Sequence, residues 1–307
     1  MTVGAPDASL TERFEAARPR LGAIAYRMLG SIDDAQDAVQ EAWLRLSGGV
    51  KGGEGSKDIK NLDAWLTTVV ARICLNMLRE RRAHDPAELV ARLPDPIVEA
   101  DCEHDPEHRA MLADAVGLAL LVVLDTLAPA ERLAFVLHDV FTVPFDQIAP
   151  IVDRTPETTR KLASRARRRI QQADTVPDAG MVAQRKAVDA FFAAGRDGDF
   201  DGLVSALDPD VVLRGDFGVT GPGRPAVFRA QGAASVAGLA RSYAAPERGV
   251  RAATVNGAAG AVIFVAGRAT AIMGFVVRDG RVAAIDVLAD PARIARLDLS
   301  AVAGQPD

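Results

Sequence analysis

The chain has 307 residues, a hydrophobic content of 49% and a formal net charge of −5. This length predicts about two domains with ample apolar material for their cores. Residues 1–19 lack the apolar core of a signal peptide, and the longest apolar run, Ala115–Leu124, is too short to cross a bilayer. Two cysteines, Cys74 and Cys102, exclude a disulfide framework. We therefore expect a cytoplasmic protein without a membrane span, in which any DNA binding must be local because the net charge is acidic.

The first predicted piece, residues 10–84, is helical. Ser31 begins a capping box, and apolar residues then recur at helical spacing. The buried face of this helix is predicted to hold Ala35, Ala38, Val39, Ala42, Trp43 and Leu46. Its outer face is predicted to carry Asp37, Gln40, Glu41 and Leu44.

A glycine-rich polar loop, Lys51–Lys60, leads into a second helix over residues 61–82. We interpret Trp43 and Trp65 as core residues. The predicted buried stripe of the second helix is Leu66, Val69, Val70, Ile73 and Met77. The predicted polar and basic side is Thr68, Arg72, Asn76 and Arg79.

Residues 85–106 form a proline-rich linker that we expect to be mostly extended. Such a linker would leave the flanking domains with no fixed spacing of their own. Cys102, His104 and His108 could suggest a metal ion, but three ligands on a loop without a second cluster are a weak signal. We expect no metal and no cofactor.

Residues 107–174 form the next predicted domain, and Phe145–Ile170 has the pattern of two helices joined by a tight turn at Asp153 and Arg154. Thr155 is a suitable N-cap, followed by Pro156 at the first helical position. The predicted buried stripe of the second helix is Thr159, Leu162, Ala163, Ala166 and Ile170. The residues assigned to its outer side, as DNA contacts, are Glu157, Thr158, Arg160, Lys161, Ser164, Arg165 and Arg168.

Seven basic residues and one acidic residue lie between Arg154 and Arg169, a local net charge of +6. A short helix with small residues inward and basic residues outward suits the major groove of DNA. The alternative is a solvated charged helix of a bundle. Asp153 stands where glycine is usual in such turns, and Pro150 removes a backbone hydrogen bond from the first helix and should kink it.

The third piece, residues 181–307, has a different predicted secondary structure. A helix over residues 182–196 precedes several strands. Asn256-Gly257 and Asp279-Gly280 each lie between apolar runs, which is a strong hairpin signal. Helices followed by an antiparallel meander predict an α+β domain.

Three motifs together resemble the extracytoplasmic-function (ECF) family of RNA polymerase sigma factors. Residues 33–44, DDAQDAVQEAWL, look like region 2.2, and residues 63–72, DAWLTTVVAR, resemble regions 2.3 to 2.4. Residues 127–132, LAPAER, with the following helix-turn-helix, resemble region 4. The implied architecture is multidomain, with two all-α sigma domains followed by the α+β domain.

The resemblance implies roles for these segments. Region 2.2 would dock on the clamp helices of the largest polymerase subunit through Asp37, Gln40, Glu41 and Leu44, and region 4 would meet the polymerase flap. The −10 promoter element would be opened by Asn61, Thr68, Arg72, Asn76 and Arg79, with a flipped base held by the loop 52–61. The helix-turn-helix would recognise the −35 element.

Residues 198–216 and 274–294 resemble the SnoaL-like cone fold, which ECF sigma factors of the sigma factor J type carry behind region 4. That subgroup has motifs of the forms WLPEP, DGGG and NPDKL. The imperfect counterparts here are residues 92–96, 216–219 and 290–294. The resemblance implies a regulatory contact through Asp290, Pro291, Arg293 and Ile294, and the domain could replace a dedicated anti-sigma factor.

The rival hypothesis is a cone-fold enzyme, of the isomerase or cyclase kind, fused to a DNA-binding regulator. Such an enzyme needs a desolvated carboxylate and an oxyanion donor. Asp216 and Asp286 are the available carboxylates, and Tyr243 is the only tyrosine of the third piece. We expect no catalysis, because the fold supplies a cavity without implying chemistry.

Overall fold

The computed structural model describes residues 8–51, 61–84, 92–100, 117–173, 180–218, 226–243 and 247–303. The chain divides into two compact units. The first comprises Met1–Val90 and Val123–Ala173, and the second comprises Ala91–Val122 and Asp174–Asp307. Most of the predicted base-holding loop, the Cys102, His104 and His108 group, and Val219 lie outside the described residues.

The first unit is helical, as expected. Its first three helices are α1 (Ala8–Leu29), α2 (Ile32–Lys51) and α3 (Leu62–His84). After the linker come α4 (Leu118–Thr126), which begins in the second unit, α5 (Pro129–Phe135), a π-helical turn (Val136–Val140), α6 (Phe145–Val152) and α7 (Pro156–Gln172). No helix among the described residues has the length and apolar character needed to cross a membrane.

Helix α3 is buried on more of its surface than the sequence predicted. Leu66, Val70 and Ile73 are buried as expected, whereas Val69 and Met77 are only half-buried. Additional buried residues are Leu62, Thr67, Ala71, Cys74, Leu75 and Leu78. The prediction assumed one packed face, but α3 packs on α1 and α2 and also on α5 and α6.

The two sigma-like segments therefore share one compact unit. The expectation that the linker leaves them with no fixed spacing is wrong for this structure, because helices from both segments pack on each other.

The second unit contains a seven-stranded sheet in the order β1-β4-β5-β6-β7-β2-β3. The strands are β1 (Val98–Ala100), β2 (Leu207–Asp216), β3 (Val227–Gln231), β4 (Arg248–Val255), β5 (Ala258–Val265), β6 (Arg268–Arg278) and β7 (Arg281–Leu288). The helices are α8 (Met181–Asp197), α9 (Phe200–Ala206), α10 (Ala233–Tyr243), α11 (Pro291–Ile294) and α12 (Ser300–Ala303). The α+β prediction is confirmed.

Both predicted hairpin turns are present. Asn256 and Gly257 have φ values of 49° and 74°, and Asp279 and Gly280 have values of 48° and 72°. Two successive positive φ values define the type I′ turn that suits the twist of paired strands. These turns fix the β4–β5 and β6–β7 registers.

The linker supplies the edge strand β1. Val98 lies opposite Val255 in an antiparallel pair with β4. The Ile97 amide donates to Asn256 Oδ1 at 3.0 Å, and the Asn256 amide donates back to the Ile97 carbonyl at 2.9 Å. The described part of the linker is extended, as predicted, but it is a bound strand of the C-terminal domain.

Candidate nucleic-acid, polymerase and regulatory interfaces

The helix-turn-helix has the predicted local geometry. Thr155 Oγ1 accepts a hydrogen bond from the Thr158 amide at 3.2 Å, and Pro156 occupies the first turn of α7. Asp153 adopts a left-handed conformation with a φ of 55°, which ends α6. Asp tolerates this region better than most residues because its short side chain can hydrogen-bond locally. Helix α6 continues through Pro150 to Val152.

Helix α7 separates its buried and exposed faces as the sequence predicted. Thr159, Ala163, Ala166 and Ile170 are buried, and Leu162 is half-buried. The predicted DNA contacts Glu157, Arg160, Lys161, Ser164, Arg165 and Arg168 are exposed, and Thr158 is half-buried. The structure thus places the whole predicted −35 set on one accessible face.

Two side chains of α7 contact the first residue of α6 or the π-helical turn that precedes it. The Arg160 guanidinium lies over the Phe145 ring, 5.5 Å from its centroid, and Phe145 stacks on His138 at 3.9 Å. On the same helix, Arg167 donates to Asp139 at 2.5 Å. The sequence did not indicate these contacts, because His138 and Asp139 lie in the π-helical turn outside the helix-turn-helix pattern.

The remaining cations of this face are open to solvent. Lys161 pairs with Glu157 at 2.8 Å, but both side chains are about 70% exposed, so solvent weakens the pair. Arg165 and Arg168 form no ion pair with any described residue. They are available for an anionic partner.

The predicted −10 residues of α3 differ in their exposure and in their hydrogen-bond partners. Arg72, Asn76 and Arg79 are exposed. Asn61 caps the helix by accepting from the Ala64 amide at 3.1 Å, and the half-buried Thr68 hydroxyl donates to the Ala64 carbonyl at 2.9 Å. The Arg72 guanidinium donates to a carbonyl of α6, a contact that the sequence did not indicate.

The outer face of α2 carries the four residues that were predicted to dock on a partner protein. Asp37 and Gln40 are exposed, Glu41 accepts from Arg45 at 2.9 Å, and Leu44 is 55% exposed. An exposed leucine among carboxylates suits a partner that is basic and partly apolar. Trp43, predicted to be buried with Leu46 and its neighbours, is only half-buried and packs on Phe14 at 4.8 Å.

In the second unit, three distant segments meet around the buried Arg293. Its guanidinium donates to Asp95 at 2.9 Å, to Asp216 at 2.7 Å and to the Leu93 carbonyl at 2.6 Å. The Leu93 amide donates to Asp216 at 3.1 Å. The Arg293 side chain is 8% exposed, so its charge is neutralised by protein rather than by water. Residues from all three imperfect subgroup motifs therefore form one network.

Asp290 and Gly218 complete this arrangement. Asp290 caps α11 by accepting from the Ala292 and Arg293 amides at 2.9 and 3.3 Å. Gly218 has a φ of 68°, and a Cβ there would lie 2.4 Å from the Asp290 carboxyl carbon. A glycine is therefore required at this position although other glycines of the subgroup motif are missing. Ile294 is buried, and Pro291 is exposed.

Comparisons with known proteins identify the family of the chain. Residues 13–84 match the profile of Sigma-70 region 2, and residues 117–170 match that of Sigma-70, region 4. The ECF RNA polymerase sigma factor SigJ of Mycobacterium tuberculosis is 36% identical over 313 residues, covering 95% of this chain and 96% of the relative. The chain belongs to the ECF family of RNA polymerase sigma factors.

Other relatives agree with this assignment. The probable ECF sigma factor SigI of M. tuberculosis is 32% identical over 285 residues, covering 92% of this chain and 93% of the relative. The crystal structure of M. tuberculosis SigJ superposes with a TM-score of 0.70 at 37% identity, covering 94% of this chain and 99% of that chain. The chain is thus an alternative sigma factor with an α+β domain behind region 4.

In the C-terminal domain of this ECF sigma factor, the two carboxylates considered for the rival enzyme hypothesis, Asp216 and Asp286, are both engaged by arginines. Asp286 is buried and accepts two hydrogen bonds from Arg214, at 2.5 and 3.0 Å. Asp216 is engaged by Arg293. A cavity lined partly by Asp286 and Phe275 has a volume of about 20 Å³, room for about one water. Tyr243 is half-exposed at the end of α10. Both carboxylates are ion-paired, so neither is a free desolvated base.

The core of the first unit includes the thiol of Cys74. Burial raises the pKa of this thiol to about 12, although the nearby Arg132 opposes the shift. The thiol therefore remains protonated and unreactive at neutral pH.

Proposed function

We propose that this sigma factor recognises a −35 element through the exposed face of α7. The observation that carries the proposal is the combination of a capped turn, small buried residues and solvent-exposed cations on one helix. The N-terminal residues of α7, including Arg160 and Lys161, would meet base edges in the major groove. Later cations such as Arg165 and Arg168 would contact bases or phosphates.

We propose that α3 contributes to opening the −10 element. Arg72, Asn76 and Arg79 are the exposed side chains suited to bases or phosphates. Asn61 and Thr68 have local hydrogen-bond partners, so we infer that they shape the start of the helix.

The proposed docking surface for core polymerase is the outer face of α2, with Asp37, Gln40, Glu41 and Leu44. Its partner would be the clamp helices of the largest subunit, and region 4 would meet the flap. Assembly with polymerase implies action in the cytoplasm. A dedicated anti-sigma factor is not required if the C-terminal domain controls activity.

We propose that the C-terminal domain modulates activity through the linker that it binds. Arg293 holds Leu93 and Asp95, and Asn256 holds Ile97. The linker joins regions 2 and 4, so its attachment limits how far the two regions can move independently. The regulatory role that the resemblance implied for Asp290, Pro291, Arg293 and Ile294 would thus act through residues 92–100.

Two matched turn variants test this role. Asn256→Gly keeps the positive φ and removes the side-chain acceptor of the Ile97 amide. Asp279→Gly makes the same kind of substitution in the β6–β7 turn. We expect Asn256→Gly, but not Asp279→Gly, to change promoter-dependent transcription by purified holoenzyme. Equal transcription by both variants and the parent chain would contradict linker-mediated control.

A further inference from the structure

The arginines of α7 have two kinds of surroundings. Arg165 and Arg168 are exposed and form no ion pair with any described residue. Arg160 and Arg167, about two helical turns apart, instead contact the start of α6 and the π-helical turn before it. The second pair is therefore held within region 4 before any DNA is bound.

The contacts of Arg160 and Arg167 differ in which donors they leave free. The Arg167 Nε donates to the Asp139 carboxylate at 2.5 Å, so one of its N–H groups is occupied. The Arg160 guanidinium lies over the Phe145 ring, with Cζ 5.5 Å from the ring centroid. A ring attracts the charge of a guanidinium, whereas the N–H donors lie in the plane of the guanidinium itself. The exposed Arg160 therefore keeps donors for an external acceptor while its position is restrained.

The Phe145 ring is itself supported by an aromatic neighbour. It stacks on the His138 imidazole, with 3.9 Å between the ring centroids and 7° between the ring planes. The backbone between them reverses tightly, because Thr142 has a φ of 54° and its amide donates to the His138 carbonyl at 3.1 Å. The Val143 amide donates to the Leu137 carbonyl at 2.8 Å. This reversal places one ring on the other.

Buried neighbours attach the ring stack to the core of region 4. Val136 and Leu137, next to His138, are fully buried, and so is Ile148 in the first turn of α6. A side chain that is restrained before binding loses less conformational freedom on binding, which favours association. The stack therefore gives Arg160 a pre-organised support that Arg165 and Arg168 lack.

Arg160 occupies the part of α7 that is suited to reading bases. Thr155 caps the helix, so Arg160 lies in its second turn. In helix-turn-helix proteins the N-terminal residues of the second helix reach base edges. An arginine there pairs with O6 and N7 of guanine through two parallel hydrogen bonds, which requires a defined orientation of the guanidinium.

We propose that Phe145 and His138 are positioning residues for −35 recognition, which hold the Arg160 guanidinium so that its N–H edge meets one guanine in the major groove. Neither ring touches a base in this account, and both act through Arg160. The inference deepens the proposed recognition of the −35 element by α7 and rests on it.

Base-pair exchange in the −35 element tests the proposal with holoenzyme made from the full chain. A promoter found by transcript mapping is varied one base pair at a time, and the affinity of holoenzyme for each duplex is measured. We expect Arg160→Ala to lose about fivefold or more of the preference for one G·C pair. Phe145→Leu should lose about two- to tenfold of the preference at the same pair. The slope of log K against log salt should stay unchanged in Phe145→Leu, because no phosphate contact is removed.

Coupling between variants distinguishes positioning from general packing. Phe145→Leu should add nothing to the preference already lost in Arg160→Ala, because the ring acts through that guanidinium. Phe145→Tyr retains a ring and should retain the preference. His138→Ala should weaken it at the same pair, by less than Phe145→Leu. Gln147→Ala, at an exposed position of α6, is the control and should change nothing.

Ring-current shifts of the Arg160 side-chain protons measure the same contact without DNA. We expect shifted resonances in the free parent chain and in Phe145→Tyr, and their loss in Phe145→Leu. Unshifted Arg160 resonances in the parent chain would overturn the proposal, whether or not the leucine variant folds.

The binding outcomes separate this proposal from the proposed function. Losses at different base pairs in Phe145→Leu and Arg160→Ala, losses that multiply in the double variant, or an equal loss on every duplex would overturn the positioning role and leave −35 recognition intact. Holoenzyme that shows no preference at any base pair of the element would overturn −35 recognition by α7, and the positioning role with it.

Discussion

Arginine has opposite environments in α7 and in the Arg293 network. Arg165 and Arg168 extend from α7 into solvent. Arg293 is buried between Asp95 and Asp216. An exposed arginine costs little to maintain and is ready for a phosphate or base edge, whereas a buried one stabilises the fold only while its partners remain. Burial and partners therefore distinguish an arginine that is available to an external partner from one that joins distant segments of the chain.

The strongest test of this comparison removes the buried guanidinium. Arg293→Ala leaves two carboxylates buried without their cation, so we expect a loss of about 3–5 kcal/mol in the unfolding free energy of the C-terminal domain. Urea denaturation measures the loss. Arg296→Ala is the matched exposed control in the same segment and should change stability by less than about 0.5 kcal/mol. Equal stabilities of the two variants would refute the structural role of Arg293.

A charge reversal on α2 should have the next largest effect. We expect the double variant Asp37→Lys and Glu41→Lys to lose core polymerase binding, because like charges juxtaposed at an interface cost several kcal/mol. Both residues lie on the outer face, so the fold should persist. Gln36→Lys controls for an added positive charge on the same helix. Normal co-elution of the folded double variant with core enzyme would contradict the assignment of α2 as the helix that docks on polymerase.

Substitutions on α7 should have a smaller effect, on the free energy of DNA binding. Lys161→Ala or Arg165→Ala is expected to weaken −35 duplex binding by about 1–3 kcal/mol if the side chain contacts a base. A phosphate contact would instead reduce the slope of log K against log salt by about one. Arg154→Ala, in the turn before α7, is the control. If binding and its salt dependence are unchanged in both variants, this face of α7 is merely solvated.

The Cys74 thiol predicts a pH dependence of stability for the first unit. Its folded pKa of about 12 lies above the usual value near 8.5, so the unfolded state ionises first as pH rises. The stabilising contribution is complete below about pH 8.5 and is lost as pH rises toward 12, at up to about 1.4 kcal/mol per pH unit. Cys74→Ala should flatten this slope in denaturation experiments between pH 8 and 10. An unchanged slope would mean that the thiol is not the group responsible.

The sequence predicted the structural features that depend on neighbouring residues. The cap at Thr155, the faces of α7 and the turns at Asn256 and Asp279 all depend on residues within a few positions of each other. These predictions are confirmed except at Leu162, which is half-buried. They succeed because periodicity and turn preferences act over that range.

The sequence did not predict contacts across long separations. Arg293 and Asp95 are 198 residues apart, and Arg132 and Arg27 are 105 apart. A charged residue in a polar segment gives no sign that it will be buried. Only the resemblance of residues 92–96, 216–219 and 290–294 to subgroup motifs linked those segments, without indicating that they meet. The extra buried face of α3 was missed for the same reason, since its partners lie in region 4.

Transcript mapping tests most directly whether the chain directs polymerase to promoters through α7 and α3, as proposed. Transcription starts are mapped after expression of the parent chain and of Arg165→Ala, with equal protein levels verified. We predict new starts preceded by two shared sequence elements at a constant spacing, with fewer transcripts from these starts in the variant. New starts without shared upstream elements, or no new starts at all, would contradict the account.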